Sequence, residues 1–177
     1  MKVAVWVWQI GEDYPSNLEP DDTKLPISAV YLKVADHLNW MRAYDSRGVS
    51  GPPDFGRVVR EYAKQGIECT PWSVASGQPN VAFTEGKMLG ECAAYSGGRG
   101  ILDLEPYPQF WTGPASQVKE FCRGFIAGGG TELWIAPDGR EPHITNVHVD
   151  AWIREPVVTR WMPQAYWDEF QADWERG

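Results

Sequence analysis

Short apolar runs alternate with amphipathic stretches along most of the chain. The apolar runs predict strands over residues 3–9, 29–34, 67–74, 100–104, 132–136 and 158–165, with 147–149 as an alternative strand. Between them, apolar residues recur at helical spacing. One predicted helix ends at Gly66, and two others begin near Asn80 and Pro114. Strands that alternate with helices indicate parallel β/α units.

Polar side chains at the strand ends favour one of two closures of such a sheet. The carboxyl ends carry Gln9, Asp36, Trp72 with Ser73, Asp103 with Glu105, Asp138, and Gln164 with Tyr166. A β/α barrel collects its active site at these ends, whereas an open doubly wound sheet places its ligand at a switch point. No glycine-rich phosphate loop marks a switch point, and residues 128–130 follow a helix, where glycines form a turn. We therefore predict an α/β fold with a parallel TIM-type barrel.

The extent of the chain and its charge limit the possibilities further. A length of 177 residues with 43% hydrophobic content favours one domain over residues 1–177. Because a barrel has eight strands, we expect a partial barrel, truncated after its sixth strand, or a fragment of a longer protein with further domains. The net charge of −8, without a basic tract, argues against nucleic acid and anionic membranes as partners. The apolar start is too short to span a membrane and lacks a signal-peptide cleavage site, so localisation stays open.

The cysteines and histidines indicate neither a disulfide framework nor a metal centre. Cys69, Cys92 and Cys122 are odd in number and lie in apolar segments, which favours buried free thiols. The histidines, His37, His143 and His148, have no zinc-binding spacing with these cysteines. We predict no metal and no cofactor.

Asp103 and Glu105 are the main functional lead. They end an apolar strand, and residues i and i+2 of a strand point to the same face. Two neighbouring acids in such a place repel each other and lose hydration, and glycosidases use pairs of this kind. The alternative is structural: Asp103 caps a turn while Glu105 pairs with an arginine at the surface.

Four segments resemble the barrel of family-25 glycoside hydrolases and their lysozyme-like relatives, many of them encoded by phages. These segments are Trp8-Gln9, Tyr31-Leu32-Lys33-Val34-Ala35-Asp36, Asp103-Leu104-Glu105-Pro106-Tyr107 and Met162-Pro163-Gln164-Ala165-Tyr166-Trp167. The resemblance implies that Asp103 and Glu105 are the catalytic carboxylates. Glu105 would be the proton donor, and Asp103 would stay ionised. The family usually has an aspartate at the end of strand one, and this chain has none there. Family-18 chitinases are a weaker match, since Gly98 and Ile101 replace their upstream aspartates.

A second set of side chains is predicted to contact the sugar. Ten tryptophans exceed what a core of this size needs, and indole rings stack on sugar faces. Lys33 is an ammonium group inside an apolar strand, so it needs a carboxylate partner such as Asp103 or Asp36, or serves only as an internal ion pair. The predicted substrate-binding residues are Trp8, Gln9, Lys33, Asp36, Trp72, Tyr107, Gln164 and Tyr166.

Two functional classes follow from these features. The first is a glycosidase, lysozyme-like, that acts on a polysaccharide such as peptidoglycan. The second is a saccharide-binding or phage structural module that keeps the barrel without turnover. The intact acid pair and the tryptophans favour the first class, and the missing strand-one aspartate favours the second. In both classes the expected partner is a glycan.

Overall fold

The computed structural model describes residues 3–7, 27–139 and 146–164. Its strands are β1 (Val3–Val7), β2 (Ile27–Asp36), β3 (Asn39–Trp40), β4 (Glu68–Val74), β5 (Arg99–Leu104), β6 (Glu132–Pro137) and β7 (Val158–Trp161). Its α-helices are α1 (Pro52–Lys64), α2 (Ala82–Ala93), α3 (Ser116–Ala127) and α4 (Val149–Trp152). Short 3-10 turns cover Met41–Ala43 and Ala94–Ser96.

The strands form a seven-stranded sheet in the order β1-β2-β4-β5-β6-β7, with β3 antiparallel to β2. All other pairings are parallel. The prediction of a parallel α/β protein is therefore confirmed. Closure into a barrel is not shown, because β1 and β7 do not pair with each other within the described residues. The strand β3 was not predicted, since two residues are too few for a detectable alternation.

All of the helices contribute to one apolar cluster with one face of the sheet. Alternate strand residues such as Leu32, Leu102 and Ile135 are fully buried there. They pack with helix residues from each helix, among them Val58, Leu89, Phe121 and Trp152. Leu, Ile, Val and Phe at these positions remove much apolar surface from water, which is the main favourable term in folding. This cluster is the principal core.

The opposite face carries a smaller, aromatic cluster. Trp72, Ile101 and Trp134 are buried there, with Tyr31 packed against them. The ring of Trp134 has the guanidinium carbons of Arg99 and Arg160 at 4.5 Å and 4.1 Å from its centroid. The strand register aligns five residues across this face, namely Lys33, Trp72, Ile101, Trp134 and Arg160. The next row towards the carboxyl edge contains Asp36, Val74, Asp103 and Ala136.

Helices α2 and α3 approach each other unusually closely. A Cβ atom on Gly86 or Gly90 of α2 would meet the carbonyl oxygens of Phe121 and Phe125 on α3. Reciprocally, a Cβ atom on Gly124 of α3 would meet the carbonyl oxygen of Phe83. Gly86 and Gly90 lie four residues apart on one face of α2, so this face brings the two helix backbones into direct contact.

Two of the predicted helix ends differ from the structure. Helix α2 has Val81 at its N-cap with no side-chain hydrogen bond, so Asn80 does not cap it. Pro114 precedes the N-cap residue Ala115 and is not in the first turn of α3. Gly66 lies two residues beyond α1 and has a φ of 73°, as a left-handed helix end requires.

The three cysteines agree with the prediction. Cys69, Cys92 and Cys122 are free and buried, and burial raises the pKa of each thiol far above its usual range. They behave as small apolar side chains of the core. None of the helices in the described ranges is long and apolar enough to cross a membrane.

Candidate active site

The candidate site lies at the carboxyl edge of the sheet, where β5 ends. Asp103 is the penultimate residue of β5, and Glu105 directly follows the last residue of this strand. The Asp103 side chain is 6% exposed, whereas Glu105 is half-buried. The alternation of a strand therefore places a buried acid beneath a more accessible one on the same face.

Gln164 closes the site from the far side. It follows β7 and is held by a backbone hydrogen bond from its N–H to the Pro137 carbonyl at 2.8 Å. Its side-chain Nε2 donates to Asp103 Oδ1 at 2.6 Å and to the Ala136 carbonyl at 3.1 Å. Sequence reasoning placed Asp103 and Gln164 on one edge, and the structure brings them into direct contact.

Burial controls the ionisation of Asp103. Loss of hydration and the neighbouring Glu105 raise the pKa of the Asp103 carboxyl to about 7, against the lowering effects of the Gln164 amide and Lys33. At neutral pH this carboxyl is therefore protonated in a large fraction of molecules. The resemblance implies an ionised Asp103, whereas burial at the strand end favours the neutral acid below about pH 7.

Lys33 has the partner that its apolar surroundings require. Its side chain is 3% exposed, and its ammonium group lies 2.8 Å from Asp36 Oδ2. The ammonium is also 5.1 Å from the centroid of the Trp72 ring. Of the two predicted carboxylate partners, Asp36 forms the ion pair, and Asp103 feels the charge of Lys33 at longer range. His37 continues this group, with Nδ1 3.4 Å from Asp36 Oδ1.

Trp72 does not have the exposed ring that the sequence suggested. It is 2% exposed, and its indole N–H donates to the carbonyls of Val7 at 3.3 Å and Tyr31 at 3.0 Å. The ring packs edge-on against Trp6 at 5.3 Å. Both polar and apolar parts of this indole are committed to the protein, so Trp72 supports the site from below and does not stack on a ligand here.

Tyr107 lies at the rim but makes a contact that was not predicted. Its hydroxyl donates to Asp138 Oδ2 at 3.2 Å, and its ring packs on Phe110 with centroids 6.2 Å apart. Asp138 follows β6 and is 2% exposed. Its position at a strand end was visible in the sequence, but one isolated Asp before Gly139 is typical of a turn, so its burial was not predicted.

Glu85 organises the loops around the site and was also missed. It lies on α2, is 3% exposed, and accepts hydrogen bonds from the backbone N–H groups of Ser76 and Gly77 at 2.9 Å and 3.0 Å. The Ser76 carbonyl in turn accepts from the N–H groups of Thr112 and Gly113, both at 3.0 Å. The Glu85 carboxylate therefore holds the loop after β4, and this loop in turn binds the loop after β5 through the Ser76 carbonyl.

Trp8, Gln9 and Tyr166 lie outside the described residues. In the part of the chain that the structure covers, no group of three His, Cys, Asp or Glu side chains has the arrangement of a metal site.

The site thus combines a buried acid that holds a proton near neutral pH with a second, more accessible carboxylate on the same strand. Such an arrangement can donate and accept protons. The class defined by fold and site is a parallel α/β protein with acidic residues at the carboxyl edge of its sheet. In comparisons with protein-family models, curated proteins and solved structures, nothing matches this chain.

Proposed function

We propose that the chain is a glycoside hydrolase-like domain that acts on a polysaccharide such as peptidoglycan. The observation that carries the proposal is the Asp103–Glu105 pair, in which the pKa of Asp103 is raised to about 7. Protonation of a glycosidic oxygen needs an acid that keeps its proton at the working pH, and a neighbouring carboxyl group can keep the proton at the site.

The two carboxyl groups differ in accessibility and therefore in their proposed roles. Asp103 is too buried to reach a sugar, whereas Glu105 is half-buried and lies above it. In the proposed mechanism the pair holds one proton below about pH 7, since two adjacent carboxylates do not both ionise readily. Glu105 delivers that proton to the glycosidic oxygen as the bond between this oxygen and the anomeric carbon breaks. Water then attacks the anomeric carbon and gives one proton back to Glu105. Gln164 keeps Asp103 oriented through its 2.6 Å hydrogen bond.

We also propose that the sheet belongs to a β/α barrel. Three features support it: the strands follow one another in chain order, the helices pack on one face, and residues of neighbouring strands form rows on the other. Barrels share these features, and their active sites lie at the carboxyl edge.

Substitution of Glu105 tests the catalytic proposal. We expect Glu105→Gln to reduce the release of reducing ends from peptidoglycan by at least about a hundredfold, because the amide keeps the shape but has no proton to transfer. The activity of the wild type should fall as pH rises above about 7, where Asp103 loses its proton. Glu61→Gln, on the exposed surface of α1, is the matched control and should keep full activity.

A non-catalytic saccharide-binding module is the second candidate. The burial of Asp103 and its short hydrogen bond to Gln164 favour it, because this contact satisfies the acid without a substrate. A wild type that binds peptidoglycan fragments in calorimetry and releases no reducing ends at any pH from 4 to 8 would contradict the hydrolase and support the module.

A further inference from the structure

Asp138 is a buried carboxylate that takes no direct part in the proposed reaction. It directly follows β6 and forms an isolated parallel bridge with Gln164, the residue that holds Asp103. The last paired residues of β5 and β6 are Leu104 and Pro137. The same register, continued by one residue, sets Glu105 beside Asp138.

Glu105 begins a short segment that is held at both of its ends. Pro106 restricts Glu105 to extended backbone. The Glu105 carbonyl accepts a hydrogen bond from the N–H of the buried Trp111 at 3.2 Å. Two residues after Glu105, the Tyr107 hydroxyl reaches the neighbouring strand end and donates to Asp138 at 3.2 Å. Trp111 fixes the backbone of this segment, and Asp138 fixes its direction across the sheet edge.

We propose that Asp138 is a positioning residue for Glu105, and that it acts through Tyr107. This inference rests on the proposed function for its consequence in catalysis, but the positioning itself is a property of the fold. A proton donor works only when it is held close to the productive geometry, and small displacements cost large factors in rate. Tyr107 is thereby a link between the two strand ends, in addition to any contact that its ring makes with a sugar.

Removal of the Tyr107 hydroxyl is the direct test. We expect Tyr107→Phe to lower kcat by about tenfold to a hundredfold with a smaller change in KM, because the donor is displaced while most of the substrate surface is kept. Hydrogen exchange of the Trp111 amide should accelerate in the same variant, since its acceptor is the Glu105 carbonyl. Tyr95→Phe is the matched control, since Tyr95 lies in the Ala94–Ser96 turn, packs against Gly56 and is exposed.

Two substitutions of Asp138, the hydrogen-bond partner of Tyr107, complete the experiment. Asp138→Asn keeps an oxygen that accepts from Tyr107 and should retain both kcat and Trp111 protection better than Asp138→Ala. The double variant Tyr107→Phe/Asp138→Ala should be no worse than Asp138→Ala alone, because both changes break one link. Circular dichroism establishes folding, and where Asp138→Ala does not fold, Tyr107→Phe decides.

The inference would be overturned if, in Tyr107→Phe, the Trp111 amide exchanged at the wild-type rate and the Glu105 carboxyl NMR signal did not move. These two readouts need no turnover. If the wild type hydrolyses nothing, the proposed function fails, and the exchange and NMR data still test whether Asp138 positions Glu105.

Discussion

Burial of one side chain, Asp103, sets the ionisation behaviour at the carboxyl edge of the sheet. Loss of hydration and the neighbouring Glu105 favour its neutral form, while the Gln164 hydrogen bond and Lys33 favour its anion. The first pair of effects is larger, so the pKa of Asp103 rises to about 7. The charge of this site therefore changes within the physiological pH range, which is unusual for an aspartate.

The raised pKa of Asp103 predicts a pH-dependent stability. Because the folded protein holds this proton more tightly than the unfolded chain, the stabilisation is complete below about pH 4 and is lost as pH rises through about 7. The loss should be roughly 2 to 4 kcal/mol. In Asp103→Asn this loss should disappear, as urea unfolding at pH 4, 6 and 8 will show. Asp150→Asn, which removes one exposed carboxylate, controls for the change in net charge.

The residues of the site differ in how far the sequence predicts them. Asp103 and Glu105 were predictable because strand alternation and two adjacent acids are both local signals. The pairing of Lys33 with a carboxylate followed from the cost of burying an ammonium group. The position of Asp138 at a strand end was predicted, but its burial and that of Glu85 were not, because they depend on contacts with Tyr107 and Ser76 that are distant in sequence.

At the scale of elements, local periodicity predicted most of the architecture. Short apolar runs and helical spacing located the long strands and the helices, since both signals lie within a few residues. The exposure of Trp6 at 40% was not predicted, because it depends on which neighbour covers the first strand. The close approach of α2 and α3 was missed, although the sequence offered a signal in Gly86 and Gly90 and in Gly124 and Gly128, each four residues apart.

The contact between α2 and α3 predicts an unusual response to alanine. Gly86→Ala should destabilise the fold by about 1 to 3 kcal/mol, because its methyl group meets the Phe121 carbonyl of α3. In an exposed helix the same change stabilises by roughly 0.5 to 1 kcal/mol. Gly56→Ala on α1 is the control, since the atoms nearest to its methyl group belong to the side chain of Tyr95 and not to a backbone. Thermal unfolding of both variants measures the difference, and equal stabilities would contradict the backbone contact.

For the whole molecule, the main consequence of the fold is that one sheet carries a cluster on each face. The helix side holds most of the apolar volume, and the aromatic side lies directly beneath the acids. Since the same strands belong to both clusters, neither face can lose its packing without loosening the other.

Paired substitutions on the two faces test this coupling. Phe121→Ala removes a fully buried ring on the helix side, and Trp72→Ala removes a buried indole beneath Lys33. Each should cost about 3 to 5 kcal/mol. Both variants should still unfold in one transition by far-UV circular dichroism and by fluorescence. Two separate transitions in Trp72→Ala would mean that the faces unfold independently.

The tryptophans also make the protein its own optical reporter. Each face holds a pair of indoles in edge-on contact: Trp6 and Trp72 on one side, with centroids 5.3 Å apart, and Trp111 and Trp152 on the other, 4.8 Å apart. Neighbouring indoles couple their electronic transitions, so each pair contributes a signed circular dichroism band only while its geometry persists. Replacement of Trp6 or Trp152 by phenylalanine would assign the bands, and the spectrum would then follow each face without an attached dye.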